Sequence, residues 1–279
     1  MLQNTFCHAP GIGPKSEERL WSAGVLSWQD ALGAASLPLA PAKADSVCRS
    51  AAESVERLAC RDARFFSDRL PSPEHWRLYP QFRDSVAYVD IETTGLGGPY
   101  AHITTIALYD GHSIRWYVHG EDLEEFCRDI EPYDLVVTYN GNAFDLPFIR
   151  EHLGVPMRQA HIDLRYVLGS LGFRGGLKGC EQQLGVDRGD LDGIDGYFAV
   201  VLWRDYWRQG ERKSLETLLA YNVADAVNLE RLMVAAYNMK LPHPVFARTH
   251  RLPEPPCPEA PFCADAETVA RLRREMVQA

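Results

Sequence analysis

From residue 86 to residue 164, short apolar runs of strand length alternate with stretches of helical period, and that alternation leaves few architectures open. Strands are predicted over 86–91, 103–109, 114–118, 134–139 and 161–164. Helices are predicted over 123–130, from about Asp145, and in one long stretch over 213–238. Asp110-Gly111 separates the second and third strands and predicts a hairpin between them. The expected architecture is therefore α/β: a mixed sheet, its hairpin strand antiparallel, flanked by helices.

Around this core the chain divides by composition. Residues 1–36 read as a small helical module, in which Pro10-Gly11-Ile12-Gly13-Pro14-Lys15 forms a turn before a helix through Leu20 and Trp21. Residues 37–82 read as a proline- and alanine-rich linker followed by a single helix over 44–70, which lacks Pro and Gly until Pro71 ends it. Residues 83–240 hold the α/β pattern, and 241–279 form a proline-rich tail with one helix from Asp265. No apolar run approaches the roughly 20 residues needed to cross a bilayer, and the opening residues lack a secretory pattern. The expectation is a cytoplasmic protein with no membrane partner.

The seven cysteines are odd in number and never spaced C-x-x-C, so neither a disulfide framework nor a zinc ribbon is expected. Cys257, Cys263, His243 and His250 fit no common zinc spacing. A formal charge of −9 argues against a broad basic face for holding nucleic acid. Local phosphate binding led by cations and backbone amides stays compatible with it.

Three segments carry chemistry. In Val89-Asp90-Ile91-Glu92-Thr93-Thr94-Gly95-Leu96, two acids one residue apart on a strand emerge on the same face. Such a pair is costly unless a cation neutralises it, and hard oxygen donors suit Mg²⁺ or Mn²⁺. The alternative is an edge strand with solvated acids, which Val86, Val89 and Ile91 speak against. In Tyr139-Asn140-Gly141-Asn142-Ala143-Phe144-Asp145-Leu146-Pro147, Asp145 stands where a strand gives way to a helix, and taken alone it is most simply a helix cap. In Tyr221-Asn222-Val223-Ala224-Asp225, four-residue spacing stacks Tyr221 and Asp225 at the border of an apolar helix face. There a carboxylate either meets solvent or points into a cleft.

Taken together, D-I-E-T-T-G-L, N-G-N-A-F-D-L-P and Y-N-V-A-D resemble, in order, the three motifs of the DEDD 3′→5′ exonuclease superfamily. The Y-x-x-x-D spacing resembles its tyrosine branch, and the Asn-Gly turn resembles the YprB-type subgroup of ribonuclease H-like proteins. The resemblance implies a ribonuclease H-like, mixed five-stranded sheet and a two-metal hydrolysis of phosphodiester bonds, with DNA favoured. It implies that Asp90, Glu92, Asp145 and Asp225 hold two divalent cations, Mg²⁺ or Mn²⁺, and that Tyr221 orients a water. Thr93, Gly95, Leu96 and Asn140 would meet a single strand or 3′ end. Leu96 would be either a wedge against the terminal base or an ordinary turn residue. An exoribonuclease that trims RNA, and a non-catalytic nucleic-acid-binding protein on the same fold, are the alternatives.

Other residues admit two readings. Lys178 and Arg174 would reach phosphate or stay as solvated loop charges. Trp203 and Trp207, at helical spacing, read as packing residues, and His161 as structural. Gly11, Gly13 and Lys15 resemble the phosphate-binding turn of a helix-hairpin-helix motif, although only nine residues precede Pro10. The alternative for this segment is a packing module that merely uses a glycine turn.

Overall fold

The computed structural model describes residues 1–95, 98, 101–191, 193–242 and 244–278. Five strands form one sheet in the order β3-β2-β1-β4-β5. They are β1 (Val86–Thr93), β2 (Ile103–Tyr109), β3 (Ile114–Val118), β4 (Leu135–Thr138) and β5 (Ala160–Asp163). β1 pairs antiparallel with β2 and parallel with β4, so it lies inside the sheet and the edge-strand alternative fails. The Asp-Gly hairpin forms with a four-residue loop, since Tyr109 faces Ile114. The Asp110 carboxylate accepts the His112 and Ser113 N–H groups at 2.9 and 2.7 Å and holds that loop.

Five helices precede the sheet: α1 (Pro14–Ser22), α2 (Trp28–Gly33), α3 (Pro41–Ala59), α4 (Ala63–Ser67) and α5 (Tyr79–Phe82). α6 (Phe126–Asp129) and α7 (Asp145–Leu153) fall between strands. After the sheet come α8 (Leu164–Ser170), α9 (Gly176–Gln183), α10 (Gly196–Gln209), α11 (Arg212–Lys240), α12 (Pro244–Thr249) and α13 (Ala266–Gln278). Among the described residues, no helix is long and apolar enough to cross a membrane.

The two-residue period of β1 sorts its side chains between two cores. Val86 and Tyr88 join a core with α11 residues such as Leu229 and Met233 and with residues of the first five helices. Ala87, Val89 and Ile91 turn the other way, against Phe126, Leu146 and Ile149 of α6 and α7. Asp90 and Glu92 share the parity of Val86 and Tyr88, and the strand therefore presents both acids toward α11. A strand buried on both faces explains the nearly continuous apolar sequence.

The helix expected over 44–70 is broken. α3 ends at Ala59, Arg61 takes a left-handed conformation (φ 54°), and α4 starts afresh with Asp62 capping the Phe65 N–H at 3.0 Å. A non-glycine residue in that region is strained. The Arg61 guanidinium bridges Asp84 and Asp134 at 2.8 and 2.9 Å.

At the amino terminus, the glycine turn is preceded by a 3-10 helix at Leu2–Asn4. Buried Glu17 of α1 accepts the Thr5 hydroxyl and the Phe6 N–H at 2.8 and 2.6 Å and pairs with buried Arg77 at 2.9 Å. Phe6, Leu20, Trp21 and Trp28 belong to the same core as the α11 face of the sheet. At the other terminus, α13 is fastened to α10 by Arg271, which pairs with buried Asp205 at 2.6 Å. Leu272 joins the core between α10 and α11.

Candidate active site

The end of β1 and the middle of α11 bring three acids together. One carboxylate oxygen each from Asp90, Glu92 and Asp225 lies within 4.8 Å of the others, the one group of this kind among the described residues. Cys257, Cys263 and His250 form no such group, and His243 lies outside the described residues. Asp145, at the start of α7, is buried and accepts the Ile91 N–H at 3.3 Å. It lines the same cavity of about 1020 Å³ as the trio and Tyr221.

Like charges packed this closely out of water disfavour ionisation. Asp90 and Glu92 are pushed well above the usual carboxylate range, first by burial and then by the neighbouring Asp225 and Asp145. Burial pushes Asp145 up to about 7, against the pull of its backbone hydrogen bonds. It pushes Asp225 up to about 6, against the opposing charge of Arg188. Four acids with hard oxygen donors and too little positive charge fit divalent-cation binding.

Several partners of this cluster carried no clear sign in the sequence. Asn222 donates from Nδ2 to the Asp90 carboxylate at 2.7 Å and to its backbone carbonyl at 3.1 Å. Its own Oδ1 accepts the buried Thr105 hydroxyl at 2.9 Å. Asn222 thus ties α11 to β1 and β2 and fixes the Asp90 rotamer. Its place inside Y-N-V-A-D was the only available hint. Arg188, its side chain 5% exposed, donates to Asp225 and to buried Glu181, and Asn228 donates to Glu181 at 2.7 Å. Residue 188 lies in an ordinary polar loop sequence, and nothing in that loop announces its role.

Of the expected substrate contacts, Thr93, Gly95 and Asn140 line the cavity. The Thr93 hydroxyl donates to the Gly95 carbonyl at 2.6 Å, folding the strand end back on itself. Leu96 lies outside the described residues. Asn140 is left-handed (φ 66°). A side chain at Gly141 would place Cβ 2.0 Å from the Thr138 hydroxyl oxygen, so this turn requires glycine. Asp163 braces the turn by accepting the Asn140 and Asn142 N–H groups at 2.8 and 3.1 Å.

Lys178 is no solvated loop charge. Its Nζ is buried without a hydrogen-bond partner, 4.7 Å from the centre of the Tyr221 ring. Burial lowers its pKa, against the pull of Asp225. Arg174 lines the cavity while its guanidinium donates to the Gly169 and Phe173 carbonyls at 2.7 Å. The cavity also holds Arg165, Arg204 and the exposed rings of Tyr166 and Tyr197, none of which was singled out in the sequence.

Trp203 is buried and stacks on exposed Trp207 at 5.3 Å. His161 is structural, bonded to Thr138 at 2.9 Å and Asn142 at 3.1 Å. Gly11, Gly13 and Lys15 are not among the residues around the carboxylates. Gly11 (φ 78°) is exposed in the turn before α1, and Lys15 is exposed in the first turn of α1.

The family model of the RNase_H superfamily matches residues 87–237, more than half of the chain. Among solved structures, that of the family B DNA polymerase from the hyperthermophilic archaeon Pyrobaculum calidifontis is similar at 18% identity and a TM-score of 0.38. That likeness spans 56% of this chain and 29% of the polymerase chain. No curated protein sequence matches the chain.

Proposed function

The chain belongs to the RNase_H superfamily, and on that premise we propose that it is a metal-dependent 3′→5′ exonuclease of the DEDD type, tyrosine branch and YprB-like subgroup, with DNA the favoured substrate. One observation carries this reading: Asp90 and Glu92 of β1 and Asp225 of α11 converge within 4.8 Å, in one cavity with Asp145 and Tyr221.

Asp90, Glu92, Asp145 and Asp225 would hold two divalent cations, Mg²⁺ or Mn²⁺. When bound, such cations supply a nucleophilic water at neutral pH and charge stabilisation for the leaving oxygen. The chain's own groups do the rest. Asn222 holds the Asp90 carboxylate in one orientation, and Arg188 balances part of the charge of Asp225. Tyr221, buried and with a phenol that burial keeps protonated, can donate a hydrogen bond to an attacking water. Lys178, which lies outside the walls of the carboxylate cavity with its buried Nζ against the Tyr221 ring, would place positive charge behind Tyr221, where it can help balance charge at the site.

Thr93, Gly95 and Asn140 would border the strand end. The exposed Tyr166 and Tyr197 rings offer faces on which unpaired bases can stack, and Arg165 and Arg204 offer charge to their phosphates. Gly11, Gly13 and Lys15, away from the carboxylate cavity, would contact phosphate in the manner of a helix-hairpin-helix turn.

Incubating the purified protein with labelled single- and double-stranded DNA and RNA, each with Mg²⁺, Mn²⁺ or chelator, tests the proposal. Metal-dependent release of mononucleotides is expected, fastest from single-stranded DNA. Binding without cleavage of any substrate under any metal would leave a non-catalytic platform instead.

A further inference from the structure

A second cavity of about 470 Å³ opens on the far side of the turn that follows β4, between α4, the end of α7 and the loop leading to β5. Its wall carries Arg64, Arg150 and Arg158 against a single carboxylate, Asp68. Three guanidinium groups around one hollow are notable in a chain of net charge −9. Asp68 neutralises little of this charge, because its 3.5 Å pair with Arg64 is more than 60% exposed on the carboxylate side and screened by water. Arg150 spends only its Nε, on the Pro156 carbonyl at 3.4 Å. Among the described residues, neither Arg150 nor Arg158 has an ion-pair partner.

The remaining wall is already built. His75 bridges the carbonyls of Leu70 and His161, each at 3.0 Å, and His161 is held by Thr138 and Asn142. Burial, helped by the charges of His75 and Arg150, lowers the His161 pKa to about 3, so this ring stays neutral and structural. The hollow is thus preformed, polar and positive.

Its position gives it a ligand. Asn140 lines the carboxylate cavity and Asn142 lines this one, two residues apart on one rigid turn. A nucleic-acid strand whose end lies over Asp90 can cross that turn and lay its upstream backbone against the three arginines. We propose that Arg64, Arg150 and Arg158 form a second backbone-phosphate site, which grips the strand upstream of the end held at the carboxylates. This rests on the nuclease reading. It adds that affinity grows with strand length while the reaction at the end does not need the site.

The test compares wild type with a variant carrying Arg64→Ala, Arg150→Ala and Arg158→Ala, and with one carrying lysine at the same three positions. Binding of a labelled dinucleotide and of a long single strand is measured by fluorescence anisotropy with Ca²⁺ across a salt series, and cleavage of the dinucleotide is measured with Mg²⁺. The alanine variant should bind the long strand roughly tenfold more weakly or worse, with the slope of log K against log salt flatter by about 2, given about 0.7 per phosphate on a single strand. Dinucleotide binding and cleavage should be unchanged, and the lysine variant should keep most of the long-strand affinity.

Equal long-strand affinity and slope in wild type and the alanine variant would overturn the proposal while leaving the nuclease reading intact. So would a lysine variant as weak as the alanine one, because charge would not be the operative property. Saturable binding of inorganic phosphate that the alanine variant loses, with long-strand affinity unchanged, would make the hollow a small-anion site and likewise overturn it. A wild type that neither binds nor cleaves strands of any length would sink both readings.

Discussion

Asn222 shows how much of the site depends on a residue that is neither charged nor nucleophilic. Its amide links the Asp90 carboxylate on β1 to the Thr105 hydroxyl on β2, so Asn222→Ala would free the rotamer of the central acid and orphan a buried hydroxyl. Groups that orient a metal ligand typically contribute 10–100-fold in affinity or activity. Calorimetric Mn²⁺ titration of Asn222→Ala should therefore show binding weaker by roughly that factor, with cleavage falling in parallel, whereas an unchanged isotherm would reduce Asn222 to packing. Asp145 supports a test of a different kind. Burial raises its pKa from the usual carboxylate value to about 7, so folding takes up a proton there. The associated stability is complete below the unfolded value near 4 and is lost as pH rises through about 7. Without metal, the melting temperature of wild type should fall relative to Asp145→Asn between pH 4 and pH 8. A constant difference across that range would mean that Asp145 is ionised in the metal-free fold. The acids themselves were legible as motifs, since their spacing is local. Arg188, Asn222 and the exposed Tyr166 and Tyr197 were not, because their roles exist only once α8 to α11 have been folded against β1.

At the scale of elements, the strands were readable for a physical reason. β1 and β4 are covered on both faces, so their sequences are apolar at nearly every position, and the hairpin carries its own Asp-Gly signal. The break between α3 and α4 was hidden because no Pro or Gly marks it. Arg61 takes a left-handed conformation and bridges Asp84 and Asp134, partners 23 and 73 residues away. The turn after β4 is the least adaptable element beside the site. Gly141 has Thr138 against it on the side a Cβ would occupy, and the turn delivers both Asn140 and Asp145. Gly141→Ala should destabilise the protein by about 1–3 kcal/mol, as overpacking does, and should reduce cleavage further than the lost folded fraction explains. Thermal melts and cleavage measured on the same preparations check this. A variant with normal melting and normal rate would mean that the turn has room that its geometry denies.

At the scale of the whole molecule, the α11 face of the sheet, the first five helices and the amino-terminal turn share one core, tied by the buried pair of Glu17 and Arg77. Composition revealed the helical character of residues 1–36 but not this shared core, because Glu17 and Arg77 look like ordinary surface charges in a linear sequence. The net charge of −9 likewise concealed a local arrangement in which arginines gather on both sides of one turn. The proposed function requires that the four acids form a metal-dependent centre which removes nucleotides from a 3′ end. Its most direct test follows one single strand labelled at the 5′ end and another labelled at the 3′ end, with Mg²⁺ or chelator, in wild type and in Asp225→Asn. Immediate release of the 3′ label as a mononucleotide is expected, with stepwise shortening of the 5′-labelled strand and loss of both reactions with chelator and in Asp225→Asn. Cleavage that starts from the 5′ end, persists in chelator or survives undiminished in Asp225→Asn, once contaminating nuclease is excluded, would contradict it.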